Sequence, residues 1–114
     1  MSFDLCGYYP HSSAEGIGIS FSSYRWGYVW TFCECVAPEV ARKLEDPFAN
    51  DGHSLGRDDA HALATMLRNE MAWHLDYWET PDSPEGVRAV VPYLRWALPQ
   101  FIEFLESSSG FIVW

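Results

Sequence analysis

Four side chains that can bind a metal ion lie close together in the middle of the sequence. Asp51 and His53 flank a glycine, and Asp58 and His61 follow a few residues later. On a helix Asp58 and His61 would share a face, and first-row divalent metals accept carboxylate together with imidazole. However, Asn50-Asp51-Gly52 is also a strong turn sequence, and Asp58 suits the first turn of a helix. Since no complete ligand motif is present, we expect the turn-and-cap role, with no bound metal or cofactor.

A second group of polar residues is acidic. Five carboxylates occur between Asn69 and Val87 without any Lys or Arg: Glu70, Asp76, Glu79, Asp82 and Glu85. Such a stretch forms either a solvated acidic surface or a surface that contacts a basic groove of a partner, where carboxylates occupy the sites of phosphates.

Large apolar side chains accompany these carboxylates. Met66, Glu70, Trp73 and Tyr77 form a row at helical spacing, beside the main apolar stripe of the same segment. A helix that is apolar over more than half of its circumference is either enclosed in the core or in contact with another chain. Because Trp and Tyr dominate interface energetics, we predict a partner-binding surface from these residues: Glu70, Trp73, Asp76, Tyr77, Glu79, Asp82 and Glu85.

The remaining reactive side chains form no catalytic motif. Cys33 and Cys35 are spaced too tightly for a zinc ribbon, and together with Cys6 we expect them to be reduced structural thiols. His74 falls on the apolar helix face and is expected to be a core histidine. The sequence contains neither a glycine-rich phosphate loop nor a nucleophile motif. An enzyme is therefore disfavoured.

Length and charge narrow the classes of function further. The 114 residues include 16 acidic and 7 basic side chains, for a net charge of −9, and 48% are hydrophobic. These values predict one folded domain over residues 1–114 and exclude a disordered chain. They also argue against direct nucleic-acid binding, which needs clustered Lys and Arg. Without a long apolar run or a secretory signal, we expect a cytoplasmic protein with no membrane partner.

The predicted strands lie at the two ends of the chain. Residues 2–9 and 17–22 alternate in polarity and are expected to form a hairpin, and residues 111–114 are expected to form a terminal strand. We therefore predict an α+β fold, in which a small antiparallel sheet of N- and C-terminal strands packs against about three helices.

The predicted helices must position the acidic and aromatic residues. The strongest covers residues 57–79, where eight side chains keep helical spacing: Ala60, Leu63, Ala64, Leu67, Met71, His74, Leu75 and Trp78. Another helix is expected around residues 29–36. A third begins at Ser83-Pro84-Glu85, with Ser83 as the cap. Pro92 and Pro99 each remove a backbone donor from it, which leaves either one kinked helix or two helices, and we favour a break near Pro92.

Several short motifs resemble a known family. Asn50-Asp51-Gly52-His53 leads into Asp59-Ala-His-Ala-Leu-Ala64, and Phe101-Ile-Glu-Phe-Leu105 leads into Gly110-Phe111. Together with the tryptophan-rich segment from Trp26 to Trp30, these resemble a family of small uncharacterised proteins of bacteria, phages and other mobile elements. The resemblance covers roughly residues 24–114 and departs from the family at Ser109-Gly110, where the family has Gly-Gly. It implies this fold and a mobile-element setting, and it assigns no catalytic residue.

These observations lead to one main functional hypothesis and several alternatives. The main hypothesis is a non-catalytic acidic protein that binds and inhibits nucleic-acid-handling defence machinery, as an anti-CRISPR or DNA-mimic inhibitor does. An alternative partner is a bacterial toxin, which would make the chain an immunity protein. A further alternative is a small metal-dependent enzyme that uses Asp51, His53 and His61. A homodimer built on the aromatic row would compete with partner binding.

Overall fold

The described part of the chain forms four strands and four helices. A computed structural model describes residues 2–8, 18–48 and 52–113. The elements follow in the order β1 (Ser2–Gly7), β2 (Gly18–Ser22), α1 (Ser23–Val36), α2 (Pro38–Ala41), β3 (Ser54–Gly56), α3 (Arg57–Trp78), α4 (Glu85–Glu106) and β4 (Gly110–Val113). The predicted α+β architecture is confirmed. In the described residues no helix is long and apolar enough to cross a membrane.

The two ends of the chain meet in one antiparallel sheet of order β2-β1-β4-β3. Phe3 of β1 pairs with Phe21 of β2, and Leu5 pairs with Val113 of β4. Phe3 and Leu5 are buried while their neighbours along the strand are exposed, so the hydrophobic face of the sheet covers the helices. The predicted strand ends at Tyr9, Ile17 and Trp114 lie outside the described residues.

The edge strand β3 was not predicted. It pairs with β4 through Leu55 and Phe111, and it leads directly into α3 at Gly56. Its three residues include one buried side chain, Leu55, so no alternation in the sequence marks it as a strand.

The expected break near Pro92 is wrong, because α4 is continuous through Pro92 and Pro99. Both prolines lie on the exposed side of the helix, where water can satisfy the carbonyls that lose a donor. The opposite side buries eight apolar residues from Val91 to Leu105. Burial of so many side chains outweighs a cost of about 3 kcal/mol per interior proline. The helix also begins one residue later than predicted, with Pro84 instead of Ser83 at the N-cap.

The core is built around the indole ring of Trp26. Its centroid lies 5.2 Å from that of Trp30, 5.5 Å from that of Phe21 and 6.0 Å from that of Phe101. The indole N–H donates a hydrogen bond of 2.6 Å to the carbonyl of Pro47. One side chain thus joins the sheet, α1, α4 and the loop after α2.

Gly110 is constrained by its backbone and its surroundings. Its φ is +96°, and an added Cβ would overlap the carbonyl oxygen of Leu55. We expect Gly110→Ala to lower the free energy of unfolding by about 2 kcal/mol or more in urea denaturation. Gly27→Ala is the matched control, because open space surrounds that helical position. Alanine there should be neutral or stabilising by about 1 kcal/mol. Equal losses for the two variants would contradict the role of Gly110.

A bidentate ion pair between Arg68 and Glu106 joins α3 to the end of α4. Arg68 Nε and Nη2 lie 2.9 and 2.6 Å from the two carboxylate oxygens of Glu106. The hydrogen bonds from Arg68 lower the pKa of Glu106 below its ordinary value. A carboxyl group that is more acidic in the folded state stabilises the fold above its unfolded pKa, and the contribution is lost as the pH falls through the folded pKa.

The stability of Glu106→Gln should therefore depend on pH. We expect the variant to be slightly less stable than the wild type at neutral pH, and the difference to disappear as the pH falls below about 4. Urea denaturation across this range measures the difference. Glu70→Gln serves as the control, since the Glu70 carboxylate forms no ion pair with any described residue. A difference for Glu106→Gln that persists in acid would refute the assignment.

Candidate partner-binding site

The outer side of α3 carries a row of exposed apolar side chains. Trp73 and Tyr77 are each 62% exposed, and Met66 is 38% exposed. The rings of Trp73 and Tyr77 stack with centroids 6.0 Å apart and planes 11° from parallel. Stacked rings one helical turn apart restrict each other's rotamers, so the pair offers a large contact surface that loses little conformational entropy on binding.

The opposite side of α3 explains why this row faces outward. Its buried residues are Ala60, Leu63, Ala64, Leu67 and Leu75. Trp78 packs edge-on against Phe32 of α1 at 5.2 Å. His74 is half-buried between Phe32 and Trp73, at the boundary of the core rather than inside it. The sequence left open whether the wide apolar arc is enclosed, and in the structure Trp73 and Tyr77 each remain 62% exposed.

Two of the predicted carboxylates are bound by an arginine of the neighbouring helix. Arg95 Nη2 lies 2.9 Å from Asp76 Oδ1, and Arg95 Nε lies 2.7 Å from Glu79 Oε1. These two hydrogen bonds raise the pKa of Arg95 above its ordinary value. Asp76 and Glu79 are therefore partly neutralised, although the Asp76 side chain is still 75% exposed.

The contact of Arg95 with these carboxylates was not predicted from the sequence. Arg95 lies 16 residues after Glu79 and on a different helix. Neither spacing nor local charge could have paired it with the acidic stretch, because the contact depends on how α4 packs on α3.

The turn between α3 and α4 positions the last two predicted carboxylates. The hydroxyls of Thr80 and Ser83 donate hydrogen bonds of 2.9 and 3.1 Å to the carbonyl of Tyr77. These bonds satisfy a carbonyl at the end of α3 and fix the turn that holds Asp82. Glu85 follows as the first residue of α4, where a carboxylate interacts favourably with the helix dipole.

All seven residues of the predicted surface are exposed, and we call them the acidic–aromatic face: Glu70, Trp73, Asp76, Tyr77, Glu79, Asp82 and Glu85. They divide into three groups. Glu70, Trp73 and Tyr77 share the outer row of α3, Asp76 and Glu79 flank it beside α4, and Asp82 and Glu85 continue past the helix end. Among the described residues, no ion pair involves the carboxylates of Glu70, Asp82 and Glu85.

The candidate metal ligands are not assembled in the described part of the chain. The imidazole Nε2 of His61 lies 2.8 Å from the carbonyl oxygen of Ser108, which ties the start of α3 to the turn before β4. Asp58 is exposed in the first turn of α3, as predicted for a helix-start carboxylate. Asp51 lies outside the described residues. Within those residues, no three His, Cys, Asp or Glu side chains form a group that could hold a metal ion.

The three cysteines are free thiols. Burial raises the pKa of the Cys33 thiol, and partial burial with the neighbouring Glu34 raises that of Cys35. Both thiols remain protonated at neutral pH, and this disfavours nucleophilic chemistry at either position.

Comparison of the chain with protein-family models, with curated proteins and with solved structures finds no match.

The ion pairs of Arg95 give a prediction about stability. Because all three side chains are exposed, we expect Arg95→Gln to lower the free energy of unfolding by at most about 1 kcal/mol. The loss should shrink in about 1 M salt, where exposed charges are screened. Urea denaturation at low and high salt checks both points. A salt-independent loss of several kcal/mol would mean instead that Arg95 holds α4 against α3.

Proposed function

We propose that this chain is a non-catalytic acidic protein that binds a basic partner protein through the acidic–aromatic face and inhibits it. The stacked and exposed pair of Trp73 and Tyr77 is the observation that carries the proposal. Other aromatic side chains fill the core, and these two large rings remain exposed to water. Their exposure favours a role in binding.

The charges around the pair define the chemistry of the partner. Glu70, Asp82 and Glu85 have no partner of opposite charge within the described residues. A basic protein surface would complement them, and the attraction would increase the association rate at low salt. The rings would then supply contact area that water does not screen. Asp76 and Glu79 contribute less to this attraction, because Arg95 already binds both.

Inhibition follows if the basic surface of the partner normally holds nucleic acid. Carboxylates that occupy phosphate sites would exclude the nucleic acid by direct competition. The resemblance to proteins of mobile elements favours a nucleic-acid-binding effector of host defence as this partner, in the manner of an anti-CRISPR or DNA-mimic inhibitor.

A capture experiment with paired variants tests the proposal. The tagged chain is incubated with host lysate, and the retained proteins are identified after washes at low and at high salt. We expect a basic nucleic-acid-binding protein to be retained at low salt and released at high salt. Glu70→Lys with Asp82→Lys should abolish retention. Glu39→Lys with Glu45→Lys changes the net charge equally at exposed positions elsewhere and should retain the partner.

Two further measurements separate inhibition from charge attraction alone. Trp73→Ala should weaken binding of the purified partner by ten-fold or more at a fixed salt concentration, which is roughly the effect of removing an interface anchor. Excess wild-type chain should displace duplex DNA or RNA from the partner. If the partner binds its nucleic acid and this chain together, the inhibitory mechanism is wrong. If both double variants behave alike, the acidic–aromatic face is not the binding surface.

A further inference from the structure

An apolar cavity of about 170 Å³ opens beside the acidic–aromatic face. It lies between α1, the end of α3 and the start of α4. Its wall is almost wholly apolar and is formed by Tyr28, Thr31, Trp78, Gly86, Val87 and Val90. Trp78 directly follows Tyr77 in the sequence, so the cavity adjoins the end of the exposed aromatic row.

Gly86 lines the cavity and contributes no side chain to its wall. A Cβ added at Gly86 would meet no atom within 4 Å, and the residue has no positive φ that would require glycine. Glycine within a helix is less stable than alanine, so neither packing nor backbone geometry explains it here.

The size of the cavity suits a single large apolar side chain. A cavity of about 150 Å³ lined by apolar side chains is large enough to bind benzene, whereas sites for drug-sized ligands begin at about 300 Å³. The present cavity therefore has room for one aromatic ring or one long aliphatic side chain.

Exposed carboxylates lie next to, or one turn from, lining residues of the cavity on each of the three helices. Glu34 lies one turn after Thr31 on α1, Glu79 follows Trp78, and Glu85 precedes Gly86. Asp82 lies in the turn between the last two.

The basic groups near the cavity are fewer and partly engaged. Arg25 lies over the ring of Tyr93 at 5.1 Å, Arg95 binds Asp76 and Glu79, and Arg88 is exposed next to Val87. An occupant that brings positive charge would complement this rim, whereas a second copy of a chain with net charge −9 would bring like charge.

We propose that this cavity receives one aromatic or long aliphatic side chain from a basic segment of the partner protein. The inference rests on the proposed function and adds to it a specific anchor site. The rings of Trp73 and Tyr77 then contact the surface of the partner, while one side chain of the partner inserts into the cavity.

Synthetic peptides test the proposal directly. The probes are a lysine-rich peptide with a central Phe, the same peptide with a central Ala, and a glutamate-rich peptide with a central Phe. Binding to the isotope-labelled full chain is followed by NMR in about 0.15 M salt, where long-range attraction is screened. We expect the lysine-rich Phe peptide to bind about ten-fold or more tightly than the Ala peptide and to shift signals of Thr31, Val87 and Val90. The glutamate-rich peptide should not bind.

A variant whose cavity is filled by a new side chain gives the decisive comparison. Gly86→Leu should bind both lysine-rich peptides equally. Ala89→Leu adds the same side chain at an exposed position of α4 and should keep the preference for Phe. Val87→Phe fills the space from another side, so the test survives if Gly86→Leu fails to fold.

Each other outcome overturns the proposal. Equal binding of the two lysine-rich peptides to the wild type would show that the cavity takes no side chain, and absent binding would exclude a basic segment as its occupant. Binding of the glutamate-rich peptide would show that charge does not select the occupant. Dimerisation that Gly86→Leu abolishes would identify a second copy instead. Binding of the purified partner to Trp73→Ala tests the proposed function separately, because Trp73 neither lines the cavity nor carries one of the charges beside it.

Discussion

The fold depends on the burial of Trp26. Its ring contacts Phe3 and Phe21 of the sheet, Trp30 of its own helix and Phe101 of α4. Its N–H is satisfied by the carbonyl of Pro47, so this large side chain is buried without an unpaired donor. Because the ring contacts β1, β2 and α4, it joins α1 and α4 to the sheet.

This arrangement determines which aromatic side chains are available at the surface. The core is closed by rings from β1, β2, α1, α4 and β4, so the outer rings of α3 are not needed for packing. α3 thus has two roles on opposite sides. Its leucines and alanines join the core, and Trp73 and Tyr77 face solvent beside carboxylates that Arg95 neutralises only in part. This is the surface through which we propose that the chain recognises a basic partner.

Elements that depend on local periodicity were predicted correctly from the sequence. The predictions were wrong or missing where contacts between distant residues determine the structure. The end of α3 was predicted to within one residue, because eight apolar positions keep helical spacing. β3 was missed, since three residues show no periodicity. The break at Pro92 was wrong, because the burial of α4 along its whole length outweighs a local defect. The residues of the acidic–aromatic face were predicted from the sequence and are exposed, and their role in binding stays a prediction. The contact of Arg95 could not be predicted, because it depends on how α3 and α4 pack.

In this structure the rings around Trp26 stabilise the fold, whereas we propose that the exposed rings on the outer side of α3 serve binding. Urea denaturation of Trp26→Ala and Trp73→Ala tests this division of roles most directly. We expect a loss of about 3–5 kcal/mol in the free energy of unfolding for Trp26→Ala. For Trp73→Ala the expected loss is below about 1 kcal/mol. A comparable loss for both variants would contradict the account, because Trp73 would then be a structural residue.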